Sequence, residues 1–153
     1  KAKRFLFNYY NRVPRIMMVL EGTNSWTYST DTFRQANNST ANQLAIMVGA
    51  SEGRFFVQAI GACSNDSGAA FPRVSIGEDS TSTSTSNGTK QTLPSSAADR
   101  QANGIGTCTV VPAVGYHYYA WLEKDGTGAG TTTWYGDNGG VNQQAGMYGS
   151  WDC

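Results

Sequence analysis

The segment that most limits the fold of this chain is residues 115–140, GYHYYAWLEKDGTGAGTTTWYGDNGG. From Tyr116 to Glu123 the residues are suited to an extended strand, with aromatic side chains on both of its alternating faces. Residues 131–135 are a second run of β-branched and aromatic residues, typical of strands. Residues 124–130 between them are rich in Gly and Asp, as in turns that need positive φ. The pattern predicts a β-hairpin within a rigid β-sandwich scaffold.

Composition favours the same fold class. The 153 residues include 18 Gly, and only 14% are charged, while Ser, Thr and Asn are abundant. These are the proportions of an all-β domain with many short strands and polar turns. A chain of this length is expected to form a single domain over residues 1–153.

Strand-like runs begin roughly every 8–12 residues, the spacing of an antiparallel β-sandwich or jelly roll of about 8–10 strands. Residues 44–48 and 54–62 are expected to pair as a second hairpin around 49–53, and residues 31–42 to form a loop with one helical turn. The other predicted strands are residues 5–9, 15–20, 25–29, 73–77, 107–111 and 144–152.

Charge and hydropathy limit the partners. The chain has 11 basic and 11 acidic residues, which predicts no broad nucleic-acid-binding surface. Five basic residues lie in residues 1–15, interleaved with apolar ones, so a solvated strand is favoured there over a nucleic-acid-binding arm. The longest apolar run, residues 16–20, is far shorter than the roughly 20 residues of a membrane-spanning helix. The chain lacks an initiator Met, so we expect it to begin inside a longer polypeptide, as its C-terminal part, or to begin after processing.

Residues 79–104 interrupt the regular spacing of strands. They contain TSTSTSNGTKQT and have almost no apolar residues. A stretch of this length without secondary structure is either a functional loop or a tolerated insertion. We expect a long surface loop between two strands, and recognition by rigid sandwiches commonly lies in such loops.

The three cysteines, Cys63, Cys108 and Cys153, have neither CxxC nor Cys/His spacing of a metal site. Cys63 follows one predicted strand and Cys108 lies near the start of another. A disulfide between them would close a loop of about 45 residues and contribute about 4 kcal/mol in the chain-entropy model. Cys153, the last residue, would then be free to pair with another subunit. The alternative is three reduced thiols in a protein assembled in a bacterial cytoplasm.

No catalytic residues are predicted. His117 is the only histidine, and a Ser or Cys nucleophile such as Ser75 or Cys108 would have to lie beside it. A histidine between two tyrosines in a strand is more often a packing residue. The carboxylates adjoin predicted turns rather than forming the facing pair of a glycoside hydrolase.

No metal or cofactor is predicted either. Asp125, Asp137 and Asn138 carry oxygens suited to Ca²⁺. However, DGTG and DNGG are also ordinary turn sequences and lack the DxDxDG ligand spacing.

Adjacent Phe55 and Phe56 point to opposite sides of a strand, so both cannot enter one sandwich core. One of them is expected to lie against a neighbouring subunit, where burial of the ring contributes roughly 1.5–3 kcal/mol. Trp121 and Trp134 are expected to pack structurally, although exposed aromatic rings also stack on sugars.

Four sequence blocks, in their order, resemble a module of tailed-phage and prophage structural proteins. They are FNYYNRVPR, SWTYSTDTFRQANNSTANQ, IGEDSTS, and GYHYYAWLE with TTTWYGDNGG. The resemblance runs from about Arg4 to Trp151. It implies a β-sandwich unit of a virion and brings no catalytic residues, while the three cysteines depart from the module's pattern.

On this resemblance we expect a virion structural protein: an oligomeric module, a homotrimer, of a fibre, tail, collar or head-decoration type. Its partners would be copies of itself, other virion proteins and a host surface glycan. It would reside in the extracellular particle after assembly in the bacterial cytoplasm. The alternative is an autonomous carbohydrate-binding, lectin-like domain or an accessory domain of a polysaccharide-active enzyme.

If the module is adhesive, its polar loops are expected to contact the receptor, because hydroxyl and amide groups hydrogen-bond sugars without desolvating a charge. If it is a cementing element, the loops have no such role. The candidate contact residues are Thr81, Ser84, Asn87, Thr89, Asp125, Asp137 and Asn138.

Overall fold

A computed structural model describes residues 13–67, 70–92, 100–126, 130–140 and 143–152. Within these ranges the chain forms twelve β-strands and two short 3-10 helices, which confirms the predicted all-β class. None of the described segments forms a helix long and apolar enough to cross a membrane. The strands are β1 (Pro14–Leu20), β2 (Ser25–Tyr28), β3 (Arg34–Gln35), β4 (Gln43–Val48), β5 (Phe55–Asn65), β6 (Arg73–Glu78), β7 (Gly88–Thr89), β8 (Gln91–Thr92), β9 (Ala102–Val110), β10 (Gly115–Lys124), β11 (Thr132–Tyr135) and β12 (Gly146–Asp152).

The strands form two antiparallel sheets. The large sheet has seven strands, β1, β2, β5, β7, β9, β11 and β12, and the small sheet has five, β3, β4, β6, β8 and β10. In the large sheet β9 pairs along one side of the central β5, and β12 and β11 pair with the two halves of its other side. Since β1 pairs with β12 and β2 with β11, β1 and β2 follow one another along the same edge.

The core lies between the two sheets, and strand alternation decides which side chains enter it. In β5, Phe55, Val57 and Ala59 are fully buried and belong to one cluster with Trp121 of β10. The rings of Phe55 and Tyr119 meet with centroids 4.6 Å apart. Trp121 and Trp134 are both 0% exposed, which confirms that they pack structurally.

The two sheets approach each other closely at Gly106 of β9. A Cβ at this position would lie 2.8 Å from the Cα of Ser75 in β6. Glycine is therefore required here because the two backbones leave no room for a side chain.

Both predicted hairpins are wrong. β10 belongs to the small sheet and β11 to the large one, so the chain crosses between the sheets after Lys124. Likewise β4 pairs with β10, whereas β5 is the centre of the large sheet. Turn-forming residues mark where a chain reverses, but they do not determine whether it returns to its own sheet or crosses to the other.

The predicted loop over residues 79–104 is also wrong in extent. β7, β8 and the first residues of β9 fall within it, and only residues 79–87 form a continuous described loop. Thr89 of β7 pairs with Thr107 of β9, and their hydroxyls lie 2.8 Å apart. Threonine has a high strand propensity, which the abundance of Ser and Gly around it obscured. Residues 93–99, and the strand predicted over residues 5–9, lie outside the described residues.

Candidate assembly surface and polar clusters

Exposed apolar side chains form a continuous surface on the side of the large sheet that faces away from the core. In β1, Ile16, Met18 and Leu20 are 68%, 63% and 54% exposed. Strand register places Leu20 in one row with Ile60 of β5 and Ile105 of β9. It places Met18 directly beside Tyr148 of β12. We call this surface the outer apolar face; it consists of Ile16, Met18, Leu20, Phe56, Ile60, Ile105 and Tyr148.

The outer apolar face carries no charge. Between the row of Ile16 and the row of Leu20, β12, β5 and β9 have five further residues on this side of the sheet, and all of them are uncharged. They are Gly146, Ser150, Gln58, Thr107 and Thr109. A contiguous apolar area without Lys, Arg, Asp or Glu is typical of a contact surface rather than of a solvated sheet face.

Phe55 and Phe56 point to opposite sides of β5, as the alternation of strand residues predicts. Phe55 is 0% exposed in the core. Phe56 is partly exposed and lies in one row with Ile16 on the outer apolar face. The subunit interface predicted at this ring stays a prediction, and its position is now the outer side of the large sheet.

The outer side of the small sheet is partly covered by the chain itself. Residues 79–87 fold over it, with the Ser84 hydroxyl hydrogen-bonded to that of Ser75 in β6. A Cβ at Gly77 would lie 3.1 Å from the carbonyl oxygen of Thr83 in the same loop. The neighbouring outward residue Leu122 is consequently 0% exposed. The hydroxyl-rich loop is thus a cover for the small sheet as well as a polar surface.

The predicted receptor-contact residues differ in accessibility. Thr81, Asn87, Thr89 and Asn138 are exposed, and Ser84 and Asp137 are partly buried. Asp125 is 0% exposed, so its prediction as a contact residue is wrong. Its carboxylate Oδ1 instead accepts hydrogen bonds from Asn65 Nδ2 and Thr132 Oγ1.

These residues do not form one surface. The loop of residues 79–87 starts beside Tyr118 of β10. The adjacent residue Tyr119 contacts Phe55, so this loop lies near the start of β5. Asp125 contacts Asn65 at the other end of β5. A strand of this length spans about 33 Å, so the loop and the turn after Asp125 lie toward opposite ends of the sandwich.

His117 and Asp79 form an ion pair at the start of that loop. The His117 Nδ1 lies 2.7 Å from Asp79 Oδ2, and Nε2 lies 3.0 Å from the carbonyl oxygen of Ala113. Because a neutral imidazole donates from one nitrogen only, two acceptors favour the doubly protonated ring. The hydrogen bond to Asp79 is accordingly the main cause of a raised His117 pKa. With Nε2 facing a carbonyl, the ring is not placed to activate Ser75 or Cys108.

His117 is expected to titrate above its usual pKa of 6.5. Since the folded pKa is the higher one, the contact stabilises the fold fully below about pH 6.5, and this contribution is lost as pH rises through the folded pKa. The chain has a single histidine, so its imidazole proton signals give an unambiguous NMR titration.

Asp79→Asn is the matched control for His117, because asparagine tolerates the left-handed backbone (φ 49°) found at Asp79. It should return the pKa toward 6.5 and remove this part of the pH dependence. A wild-type histidine that titrates at or below 6.5 would contradict the contact.

A second polar cluster surrounds Glu123, which the sequence pattern did not single out. Glu123 is 0% exposed in β10. Its carboxylate accepts hydrogen bonds from Trp26 Nε1 at 2.8 Å, Arg34 Nε at 2.9 Å and the Asn37 backbone N at 3.3 Å. Burial raises the pKa of Glu123 to about 7, against the lowering effect of Trp26 and Arg34. The cluster joins β2, β3 and the following 3-10 helix to β10, and its role is structural.

Among the described residues, no group of three or more His, Cys, Asp or Glu is placed to hold a metal ion. Of Asp125, Asp137 and Asn138, which were considered as Ca²⁺ ligands, Asp125 lies apart from the other two, which are adjacent. Asp125 belongs to the buried cluster with Asn65, whereas Asn138 follows β11 and begins the second 3-10 helix.

The disulfide that was one of the two alternatives is not formed: Cys63 and Cys108 are free thiols. In the pairing of β5 with β9, Cys108 lies opposite Val57, six residues from Cys63 along β5. That separation is about 20 Å, far beyond the reach of a disulfide. The alternative of reduced thiols therefore describes these two residues, while Cys153 lies outside the described residues.

Both buried thiols are expected to resist alkylation in the folded protein. Burial is the main cause that raises the pKa of Cys63 to about 12 and that of Cys108 to about 11. At pH 8 such thiols are ionised roughly 100- to 1,000-fold less than an ordinary cysteine, and the thiolate is the reactive form. Iodoacetamide labelling followed by peptide mass spectrometry measures each site, with the urea-unfolded chain as control. Rapid native labelling of either site would contradict its burial.

Comparisons with known proteins add no assignment. No protein-family model matches this chain, and a search of curated proteins found no match to it.

Proposed function

We propose that this chain is a structural module of a bacteriophage virion, an oligomeric appendage or decoration unit of the fibre, tail, collar or head type. The single observation that carries the proposal is the outer apolar face on a rigid two-sheet sandwich. An uncharged, apolar surface of this kind is costly in water and useful in an assembly, where contact with another subunit removes it from solvent. The sequence blocks that resemble tailed-phage structural modules support the same class.

In this proposal the module acts by binding rather than by catalysis. Its partners are copies of itself, as a homotrimer, together with other virion proteins, and it resides in the extracellular particle. Host contact would use the exposed polar residues Thr81 and Asn87 of the loop and Thr89 of β7 near one end of the sandwich, and Asn138 near the β2–β11 edge. A cementing role would leave these residues without a receptor.

Quantitative mass spectrometry of purified particles tests the proposal. Peptides of this chain should be present at a stoichiometric copy number, high for head decoration and low for a tail appendage. Particles that infect normally and contain none of the chain would overturn it.

The lectin-like alternative is supported by one aromatic ring, Tyr116, which is 57% exposed on the outer side of the small sheet. An exposed aromatic ring offers an apolar, amphipathic surface on which a sugar ring could stack. A glycan array distinguishes the two functions: an autonomous lectin should give signals that are lost in Tyr116→Ala, and a purely structural module should give none.

A further inference from the structure

We infer that the outer apolar face is a self-association surface, covered in solution by further copies of this same chain. The inference rests on the proposed function, since it identifies the partner of the surface that carries that proposal. It is carried by the distribution of exposure on the face, by its lack of charge and by its area.

The exposure of the face is greatest at β1 and falls toward the centre of the sheet. Ile16, Met18 and Leu20 of β1 are 54–68% exposed, while Ile60 and Ile105 are each 40% exposed. Among the described strands β1 pairs only with β12, so β1 lies at the edge of the large sheet in the part of the chain that the structure describes.

In monomeric proteins, charged side chains, proline or bulges commonly protect edge strands from pairing with another chain. β1 begins with Pro14 and Arg15, but from Ile16 to Leu20 it has no charged residue and no proline. The contact is therefore centred on β1 and extends over β12, β5 and β9.

The area fits an interface between subunits. Seven side chains of about 200 Å² each, with an exposed fraction of a little under half on average, leave roughly 600 Å² of apolar surface per copy. A typical stable interface buries about 800 Å² per partner, and the Thr, Ser and Gln side chains between these residues supply the rest.

The absence of charge favours an identical partner. Around the three-fold axis of a homotrimer the residues of each copy that lie nearest the axis come close to one another, so a charged face at the axis would repel itself. The outer apolar face carries no such penalty, and it also offers no charge by which a different protein would be oriented. The outer side of the small sheet is a weaker candidate for such a contact, because residues 79–87 of the same chain already cover part of it.

Light scattering coupled to size-exclusion chromatography tests the inference with two matched methionine variants. Met18 on the outer apolar face is 63% exposed, and Met47 on the outer side of β4 in the small sheet is 67% exposed. The wild-type chain should elute as an oligomer. Met18→Lys should weaken association by at least about tenfold, since it places a charge within the face. Met47→Lys should leave the oligomer unchanged.

A second variant guards against misfolding. Ile16→Thr with Leu20→Thr removes apolar area while keeping strand propensity, and it should dissociate the oligomer with an unchanged circular dichroism spectrum. A monomeric wild-type chain, or an oligomer that survives both Met18→Lys and the double variant, overturns the inference. If such a chain is nevertheless stoichiometric in particles, the proposed function stands and a different virion protein covers the face. Absence from particles would instead overturn the proposed function, whatever the solution state.

Discussion

Glu123→Ala is expected to lower the free energy of unfolding by about 3–5 kcal/mol, because the remaining half of a buried ion pair loses its partner. The change leaves Arg34 and the indole N–H of Trp26 without the carboxylate that now accepts their hydrogen bonds at 2.9 and 2.8 Å. Arg34 is 28% exposed and also lies over the Tyr28 ring, so water and the ring offset part of the cost. Urea unfolding at pH 8, above the Glu123 pKa of about 7, measures the effect on the ionised carboxylate.

The neighbouring residue of β10 supplies the matched control. Lys124 forms an ion pair with Asp31, whose side chain is 49% exposed. Asp31→Asn should cost less than about 1 kcal/mol, as is usual for surface pairs. Glu123→Gln separates charge from cavity formation, because it keeps the side-chain volume. If Glu123→Ala costs no more than Asp31→Asn, the Glu123 cluster does not join β10 to β2 and β3 as described.

The alternation of apolar and polar residues predicted the bounds of the strands better than it predicted which strands pair in each sheet. Residues 15–20, 44–48 and 73–77 were placed within one residue of β1, β4 and β6 at either end. Period-two patterns depend only on one strand and the burial of its faces. Which strands become neighbours depends on contacts distant in sequence, and for this reason β10 and β11 were assigned to one hairpin although they lie in different sheets.

The outer apolar face could be predicted only where the alternation of residues within one strand indicates it. Adjacent Phe55 and Phe56 indicated a second apolar face on β5. The continuous apolar run of residues 16–20 gave no indication of which side chains would enter the core, because both faces are apolar.

The polar clusters were beyond prediction from one sequence. Glu123 and its partner Arg34 are 89 residues apart, and His117 and Asp79 are 38 apart. A spacing of this kind carries no local pattern. Glu123 shares one face of its strand with Tyr119 and Trp121. This was the one signal in the sequence that its carboxylate would be buried and would need hydrogen-bond partners.

Trp121→Ala is expected to destabilise the chain by about 3–5 kcal/mol, as large-to-small changes of fully buried tryptophans do. Trp121 is 0% exposed between the two sheets. Its ring meets that of Trp26 edge-on with centroids 6.0 Å apart, and its Cζ2 would lie 3.0 Å from a Cβ at Gly61. Removal leaves a cavity that β5 and β10 cannot close without shifting both sheets.

Tyr116→Ala, in the same strand but 57% exposed, is the control and should change stability by about 0.5 kcal/mol or less. Thermal and urea unfolding of both variants measure the difference. A chain in which the two substitutions cost the same would place Trp121 at the surface and restore it as a sugar-stacking candidate. The expected contrast instead assigns Trp121 to the scaffold and leaves the outer apolar face and the exposed loop residues as the parts of the molecule available to partners.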